Sequence, residues 1–179
     1  MAMRKDAGVA AARVIAHLDT CARGTPGAVA TVGTLTLEPG AINVIPARAT
    51  FTVDLRNPAE SRLQASETEL GNFLNLLRGE GYVIDTERLA RFEPVVFSPA
   101  IVSEIERSSK RRQITCRRMT SGAGHDAQMM ARVAPAAMIF VPSRGGVSHN
   151  PAEFTEDAAL IRGASVLLDV VQNLAGKAT

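Results

Sequence analysis

The chain has 179 residues, enough for one large or two small domains, and 46% of them are hydrophobic, which suffices for a core. Aromatic residues make up only 4%, so that core is built mainly from Ala, Val, Leu and Ile. A net charge of +2 argues against a nucleic-acid partner, and the lack of a signal peptide or of a stretch of about 20 apolar residues argues against a membrane partner. The two cysteines have no CxxC or CxxH spacing, which predicts a reduced, cytoplasmic protein.

The first half of the chain predicts a small antiparallel sheet covered on one face by two helices, an α+β arrangement. Apolar residues recur at helical spacing in two segments, each ended by a glycine-containing turn. Between them Phe51, Val53 and Leu55 alternate with polar residues, as on a half-buried strand. The predicted elements are a helix, two strands, a helix and a strand-like segment, over residues 4–22, 28–37, 50–56, 61–78 and 82–92.

From Glu93 onward the pattern changes to alternating helices and strands, which is typical of part of a parallel α/β domain. Functional loops in such domains lie at the carboxyl ends of strands. Two loops of small residues, 121–126 and 143–150, are placed there. The predicted helices cover residues 100–112, 127–132 and 155–174, and the predicted strands cover residues 114–118 and 136–141.

Two short basic runs, residues 110–112 and 117–118, permit two interpretations: a phosphate-binding patch or a solvated helix end. No aromatic residue that would stack on bases accompanies them, which favours the helix end.

His149 lies in the second of these loops, after a Gly-Gly pair and before Pro151. A neutral imidazole there can ligate a metal, or it can be a loop histidine that hydrogen-bonds to backbone. Glu153 stands four residues on, but Pro151 disfavours a helical His-Glu pair, so a loop contact or a helix-entry role suits Glu153 better.

His125 and Asp126 follow Gly122 and Gly124 and precede a predicted helix. Glycine lets backbone N–H groups approach a ligand, and a helix start favours negative charge, so the loop is a candidate anion or carboxylate site. Alternatively, Asp126 caps its helix.

Arg56 and Asn43 are candidate substrate-binding residues in the first half. Arg56 follows Asp54 on the polar face of the alternating strand, where it can form a surface ion pair or grip a carboxylate with both nitrogens of its guanidinium fork. Asn43 is either a turn residue or a second hydrogen-bond donor.

Four ordered motifs are spread over nearly the whole chain: EPGAINVIP at 38–46, FTVDLR at 51–56, SGAGHDA at 121–127 and SHNPAE at 148–153. Together they resemble the N-carbamoyl-L-amino-acid hydrolases, whose relatives are allantoate amidohydrolase and β-ureidopropionase within the zinc aminoacylase/peptidase superfamily.

The resemblance implies an α/β enzyme in which an antiparallel-sheet α+β lid, which also forms a homodimer, is inserted into a metallohydrolase domain. Residues 1–92 match most of the lid, truncated at its start, and residues 93–179 match the C-terminal part of the catalytic domain. By resemblance His149 is a metal ligand. Asn43 and Arg56 reach substrate, typically in the partner subunit's site, and Gly124 and His125 line the end that holds the substrate carboxylate.

The implied reaction is hydrolysis of the C–N bond of an N-carbamoyl L-amino acid or similar ureido acid by a metal-activated water. The resemblance implies two divalent ions in the intact enzyme, Zn or else Mn, Ni or Co. The family's His-x-Asp pair, Glu-Glu pair, further histidine ligand and lid histidine have no match here. We therefore expect that the chain begins inside the enzyme, holds no ion tightly and is inactive by itself.

Two other functions fit the same sequence. The chain can be a non-catalytic dimerisation or interaction module, or part of a related metal-dependent deacylase or dipeptidase in which the arginine binds a peptide carboxylate.

Overall fold

The computed structural model describes residues 3–176, which divide into two compact units after Pro94. This division lies two residues from the one that the sequence pattern predicts. The elements of the first unit are α1 (Ala7–Gly24), β1 (Val29–Thr31), β2 (Leu35–Glu38), β3 (Arg48–Phe51), β4 (Asp54–Arg56) and α2 (Glu60–Gly79). The second unit contains α3 (Pro99–Arg111), α4 (Asp126–Met130), a 3-10 turn (Arg144–Gly146) and α5 (Asp157–Ala175).

Helix α1 begins at Ala7, later than the sequence predicts, because Asp6 caps it. The Asp6 carboxylate accepts hydrogen bonds from the N–H groups of Gly8 and Val9, at 2.9 and 3.1 Å, and so satisfies two donors that have no partner within the helix. The buried face of the helix is formed by Ala10, Ala11, Val14 and Leu18.

The strands form two antiparallel pairs, β1 with β4 and β2 with β3. Each of the two predicted strands is therefore interrupted once. Between the two pairs the Thr52 N–H donates to the Thr34 carbonyl at 3.3 Å, and the two threonine hydroxyls lie 3.0 Å apart. Phe51 and Leu55 are half-buried while Arg56 is exposed, which confirms the predicted alternation.

The core of the first unit lies between the two helices and one face of the strands. Val14 and Leu18 of α1 pack with Leu74 and Leu77 of α2, and Leu77 is fully buried. Burial of one such leucine stabilises the fold by roughly 1.5–3 kcal/mol. The partly buried residues around this cluster are Ala30, Val32, Phe51, Val53, Leu55, Leu70, Phe73, Tyr82 and Ile84.

Residues 82–92 follow the core without joining a strand ladder among the described residues, so the strand-like prediction for them is wrong. Tyr82 and Ile84 pack against the core in alternation with exposed Val83. The Ile84 carbonyl accepts from the Arg78 guanidinium at 2.8 Å instead of from a neighbouring strand. The segment therefore packs against the core like a strand at its start, but its Ile84 carbonyl hydrogen-bonds to a side chain instead of to a partner strand.

The second unit is built around the packing of α3 against α5. Ser98 caps α3 and Pro99 occupies its first turn, where a missing N–H costs nothing. Glu104 of α3 is buried and accepts a hydrogen bond from Asn173 of α5 at 2.8 Å. Arg112, just after α3, pairs with Asp169 of α5 at 2.7 Å.

The strands predicted at residues 114–118 and 136–141 are wrong as strands, since neither belongs to a ladder among the described residues. Residues 136–139 are half-buried, as an apolar run requires. A strand needs a ladder of hydrogen bonds as well as burial. The Ser98 N–H donates to the Ala136 carbonyl at 2.9 Å, but no ladder forms in the described part of the second unit.

Helix α5 is long and apolar enough to cross a membrane by length and composition, which the sequence-based expectation had excluded. Such a helix also occurs inside soluble folds, and α5 packs one face, with Val166 and Val170 buried, within the second unit. Its other face exposes apolar side chains, namely Leu160, Ile161, Leu167, Leu168, Val171 and Leu174.

Candidate functional site

The loop that contains His149 owes its shape to three left-handed residues. Gly145 and Gly146 have φ of 64° and 71°, a region that glycine enters without steric cost, and His149 itself has φ of 55°. The loop is closed by the Arg144 N–H, which donates to the Phe154 carbonyl at 2.8 Å. The Gly-Gly pair is thus a requirement of the backbone.

His149 is exposed, and its backbone is held by the residue that the sequence singled out. The His149 N–H donates to the Glu153 carboxylate at 2.8 Å, and α5 starts only at Asp157. Glu153 therefore makes a loop contact, as predicted, rather than a helical pair. This contact supports the left-handed conformation and leaves the imidazole accessible to solvent.

His125 is the N-cap residue of α4, so the interpretation of Asp126 as the cap is wrong. The imidazole Nε2 lies 2.8 Å from the Ser121 hydroxyl, and the ring meets Phe140 edge-on at a centroid distance of 5.4 Å. The His125 N–H donates to the Gln128 side chain at 3.2 Å. These contacts fix the ring.

Helix α4 has only five residues, which limits the dipole it offers to an anion. A Cβ atom on Gly124 would meet only the Gln128 side chain, at an ordinary 3.9 Å, so the local backbone does not require glycine there. Whether Gly124 and His125 bind a carboxylate stays a prediction.

Arg56, at the end of β4, forms an ion pair with Asp54, which is the first of the two roles that the sequence permits. Its Nε donates to the Asp54 carboxylate at 2.9 Å. The hydrogen bond from Arg56 holds the pKa of Asp54 below its ordinary value and raises that of Arg56, while partial burial opposes both shifts. Asn43 is exposed in a turn between β2 and β3. Both residues belong to the first unit.

Two arginines of the basic runs, Arg112 and Arg118, pair with acidic neighbours. Arg112 pairs with Asp169 and Arg118 pairs with Glu106, each at 2.7 Å. A phosphate would compete with these carboxylates, which favours the solvated helix end over a phosphate site.

A dinuclear metal centre does not fit this chain by itself. Within residues 3–176 one group of His, Cys, Asp or Glu side chains brings three ligand atoms within 4.8 Å of one another, and it contains neither His125 nor His149. A bound ion normally needs at least three protein ligands. His149 can supply one ligand at most, as the sequence predicted.

That group consists of His17, Cys21 and Glu69, and the sequence reasoning missed it. The available signal was the four-residue spacing of His17 and Cys21, which places both on one face of a helix. Glu69 gave no such signal, because its position depends on how α2 packs against α1.

The sequence model of Peptidase family M20/M25/M40 matches residues 4–173. The chain belongs to this family. Among its relatives are the allantoate amidohydrolase of Bacillus subtilis, 37% identical, and an N-carbamoyl-L-amino acid amidohydrolase of Geobacillus stearothermophilus, 39% identical. Each alignment covers 98% of this chain and 43% of the relative, so this M20 chain spans about two fifths of their length.

The family's solved structures confirm the predicted fold class. The crystal structure of an amidase of the hydantoinase/carbamoylase family from Burkholderia multivorans matches with a TM-score of 0.87 and 35% identity. The match covers 95% of this chain and 42% of that one. The family resemblance predicted from the four motifs is therefore confirmed.

Proposed function

We propose that this chain is part of a metal-dependent amidohydrolase that hydrolyses the C–N bond of N-carbamoyl L-amino acids or similar ureido acids. The observation that supports this most directly is the alignment of 98% of the chain with an allantoate and an N-carbamoyl amino acid amidohydrolase. Both named substrate classes carry a carboxylate beside a ureido group, so one binding chemistry serves both.

Arg56 and Asn43 are the residues that we assign to substrate. Arg56 stands exposed at the end of β4, and its planar fork suits a carboxylate better than an ammonium group would. The Arg56 Nε already donates to Asp54 at 2.9 Å, so a substrate carboxylate must share or displace that contact. Asn43, exposed in its turn, offers an amide donor, and Gly124 with His125 lines the carboxylate end.

His149 is the residue that we assign to the metal site. It lies exposed on a restrained loop, and a neutral imidazole is a common ligand for divalent ions. No described side chains complete a site around His149, so we assign the remaining ligands to parts of the enzyme other than residues 3–176. We also propose that the enzyme dimerises through the first unit and is located in the cytoplasm.

A comparison of the 179-residue chain with any longer product of the same gene, called the full product here, tests this function. We expect metal-dependent ammonia release from N-carbamoyl amino acids or allantoate by the full product, and none by the chain alone. Ammonia release by the pure chain would contradict the assignment of the other ligands to missing sequence. If the full product cleaves only N-acyl amino acids or dipeptides, the protein is a deacylase or dipeptidase and not a ureido hydrolase. If the full product has no hydrolase activity, the interaction module is favoured.

A further inference from the structure

The first unit contains three potential metal ligands that the proposed hydrolase activity does not use. His17 and Cys21 lie one turn apart on α1, and Glu69 faces them from α2. The His17 Nε2 atom lies 3.3 Å from the Glu69 carboxylate and 3.4 Å from the Cys21 sulfur. One nitrogen atom therefore approaches both other donors.

These separations suit a tetrahedral metal ion. Zinc binds nitrogen and oxygen at about 2.0–2.2 Å and sulfur at about 2.3 Å, so adjacent ligands of a tetrahedral ion lie roughly 3.3–3.6 Å apart. The two distances from His17 Nε2 are of this size. All three ligand atoms lie within 4.8 Å of one another, so the third separation exceeds the tetrahedral value by little more than 1 Å at most.

The surroundings restrain two of the ligands. The His17 ring stacks on Phe73 with centroids 4.0 Å apart and planes 6° apart, and 21% of its side chain is exposed. Leu18, next to His17, belongs to the buried core between α1 and α2. Cys21 is half-buried, whereas Glu69, with 53% of its side chain exposed, leaves the site open to solvent.

The nearby charges are balanced. Arg56 lines the same small cavity as His17, Cys21 and Glu69, and a cation there would be repelled by an isolated guanidinium. Arg56 is paired with Asp54, however, which reduces that repulsion. Ser66 also lines the cavity, and its hydroxyl can hydrogen-bond a water molecule that serves as the fourth ligand.

We propose that His17, Cys21 and Glu69 form a binding site for zinc or a similar transition-metal ion, with water in the fourth position. Imidazole nitrogen, thiolate sulfur and carboxylate oxygen are the ligands that such ions prefer. On binding, the Cys21 thiol loses its proton to solvent and a metal–sulfur bond forms. The ion links α1 to α2 and stabilises the first unit, and none of its three ligands is assigned to substrate or to the His149 metal site.

Titration of the 179-residue chain with cobalt(II), followed by competition with zinc, tests the proposal. A Cys116→Ser background leaves Cys21 as the single thiol, because the chain has two cysteines. We expect one cobalt ion per chain, a thiolate-to-cobalt charge-transfer absorption, and protection of Cys21 from alkylation by zinc. Zinc should also raise the melting temperature of this background.

Ligand variants provide the decisive comparison. Cys21→Ser should abolish the charge-transfer absorption, and Cys21→Ser and Glu69→Gln should each weaken zinc binding by more than about tenfold, since even partners outside the first coordination shell contribute 10–100-fold. Asp19→Asn is the matched control. Asp19 lies between His17 and Cys21 in sequence but pairs with Arg23, and this variant should bind like the background.

The alternative is a simple ion pair between His17 and Glu69 beside an inert thiol. In that case cobalt gives no charge-transfer absorption, and Cys21→Ser leaves zinc affinity unchanged. Either result would overturn the proposal. Circular dichroism of each variant shows whether the chain is folded, so that binding is compared only between folded chains. Glu69→Gln, at an exposed position, provides a second variant if Cys21→Ser disturbs the core.

Discussion

Gly163 of α5 lies so close to Val141 that a Cβ atom on Gly163 would stand 2.6 Å from the Val141 Cγ1 atom. The contact joins α5 to the end of the apolar segment at residues 136–141. Non-bonded carbon atoms require about 3.5–4.0 Å. Glycine at 163 is therefore required by the packing of the helix, although glycine weakens a helix by itself.

The substitution Gly163→Ala should destabilise the second unit. A gain of about 1 kcal/mol in helix propensity opposes an overpacking cost of about 1–3 kcal/mol, because Val141 must move by roughly an ångström. We expect a net loss of at most about 2 kcal/mol in urea unfolding followed by circular dichroism. Gly71→Ala is the control, since a Cβ atom at Gly71 in α2 meets nothing within 4 Å. It should stabilise the chain, and equal effects of the two substitutions would contradict the close contact.

Glu104 provides a second test of the packing between α3 and α5. Its side chain is 4% exposed and accepts hydrogen bonds from Asn173 at 2.8 Å and from Arg107. Glu104→Gln removes the charge and turns one acceptor into a donor, so we expect a loss of about 1–3 kcal/mol in urea unfolding. The arginine is more than half exposed and remains solvated, which keeps the cost moderate.

The control for this prediction lies on the same helix. Glu106 pairs with Arg118 at the surface, and surface pairs contribute little to stability. Glu106→Gln should therefore leave the urea midpoint almost unchanged. If Glu104→Gln were as mild as Glu106→Gln, the buried network would not stabilise the unit.

The sequence predicted the parts of the fold that depend on local periodicity. Leu63, Leu74 and Leu77 lie on one stripe of α2 because their spacing follows the helical repeat, and they are the buried residues of that helix. The alternation of Phe51, Val53 and Leu55 likewise predicted their half-buried face. In both cases the spacing of the apolar residues indicates which face of the element is buried.

The strands predicted at residues 114–118 and 136–141 failed for a physical reason. An apolar run measures the tendency to be buried, whereas a strand also requires a partner whose position is not local. The same limit applies to the candidate sites. The contact of Arg56 with Asp54 follows from their shared strand face, but the approach of Glu69 to His17 depends on the packing of two helices.

Acid should weaken the pair between Asp54 and Arg56. Because the hydrogen bond from Arg56 lowers the pKa of Asp54 below 3.8, the pair stabilises the fold fully above the ordinary pKa and loses this effect as the pH falls through the lowered value. We expect Asp54→Asn to be less stable than the wild type at pH 7, with the difference vanishing in strong acid. Urea midpoints measured across this range test the prediction.

Asp85→Asn is a suitable control for that series, since Asp85 is an exposed carboxylate of the same unit. It should follow the wild type at every pH. A constant difference between Asp54→Asn and the wild type down to pH values far below the ordinary carboxyl range would show that the ion pair is not its source.

Arg56→Lys tests the proposed substrate role in any longer product of the same gene that hydrolyses an N-carbamoyl amino acid. The ammonium group keeps the charge but cannot form two parallel hydrogen bonds. Substrate binding should therefore lose roughly 1–3 kcal/mol, which lowers kcat/KM about five- to 150-fold. Arg48→Lys, at an exposed strand position opposite Glu38, is the control and should retain activity. Because Arg56→Lys also alters the pair with Asp54, the urea midpoint of each variant must be measured beside its kinetics. A lowered kcat/KM with an unchanged midpoint assigns the loss to substrate binding, whereas an unchanged kcat/KM removes Arg56 from the site.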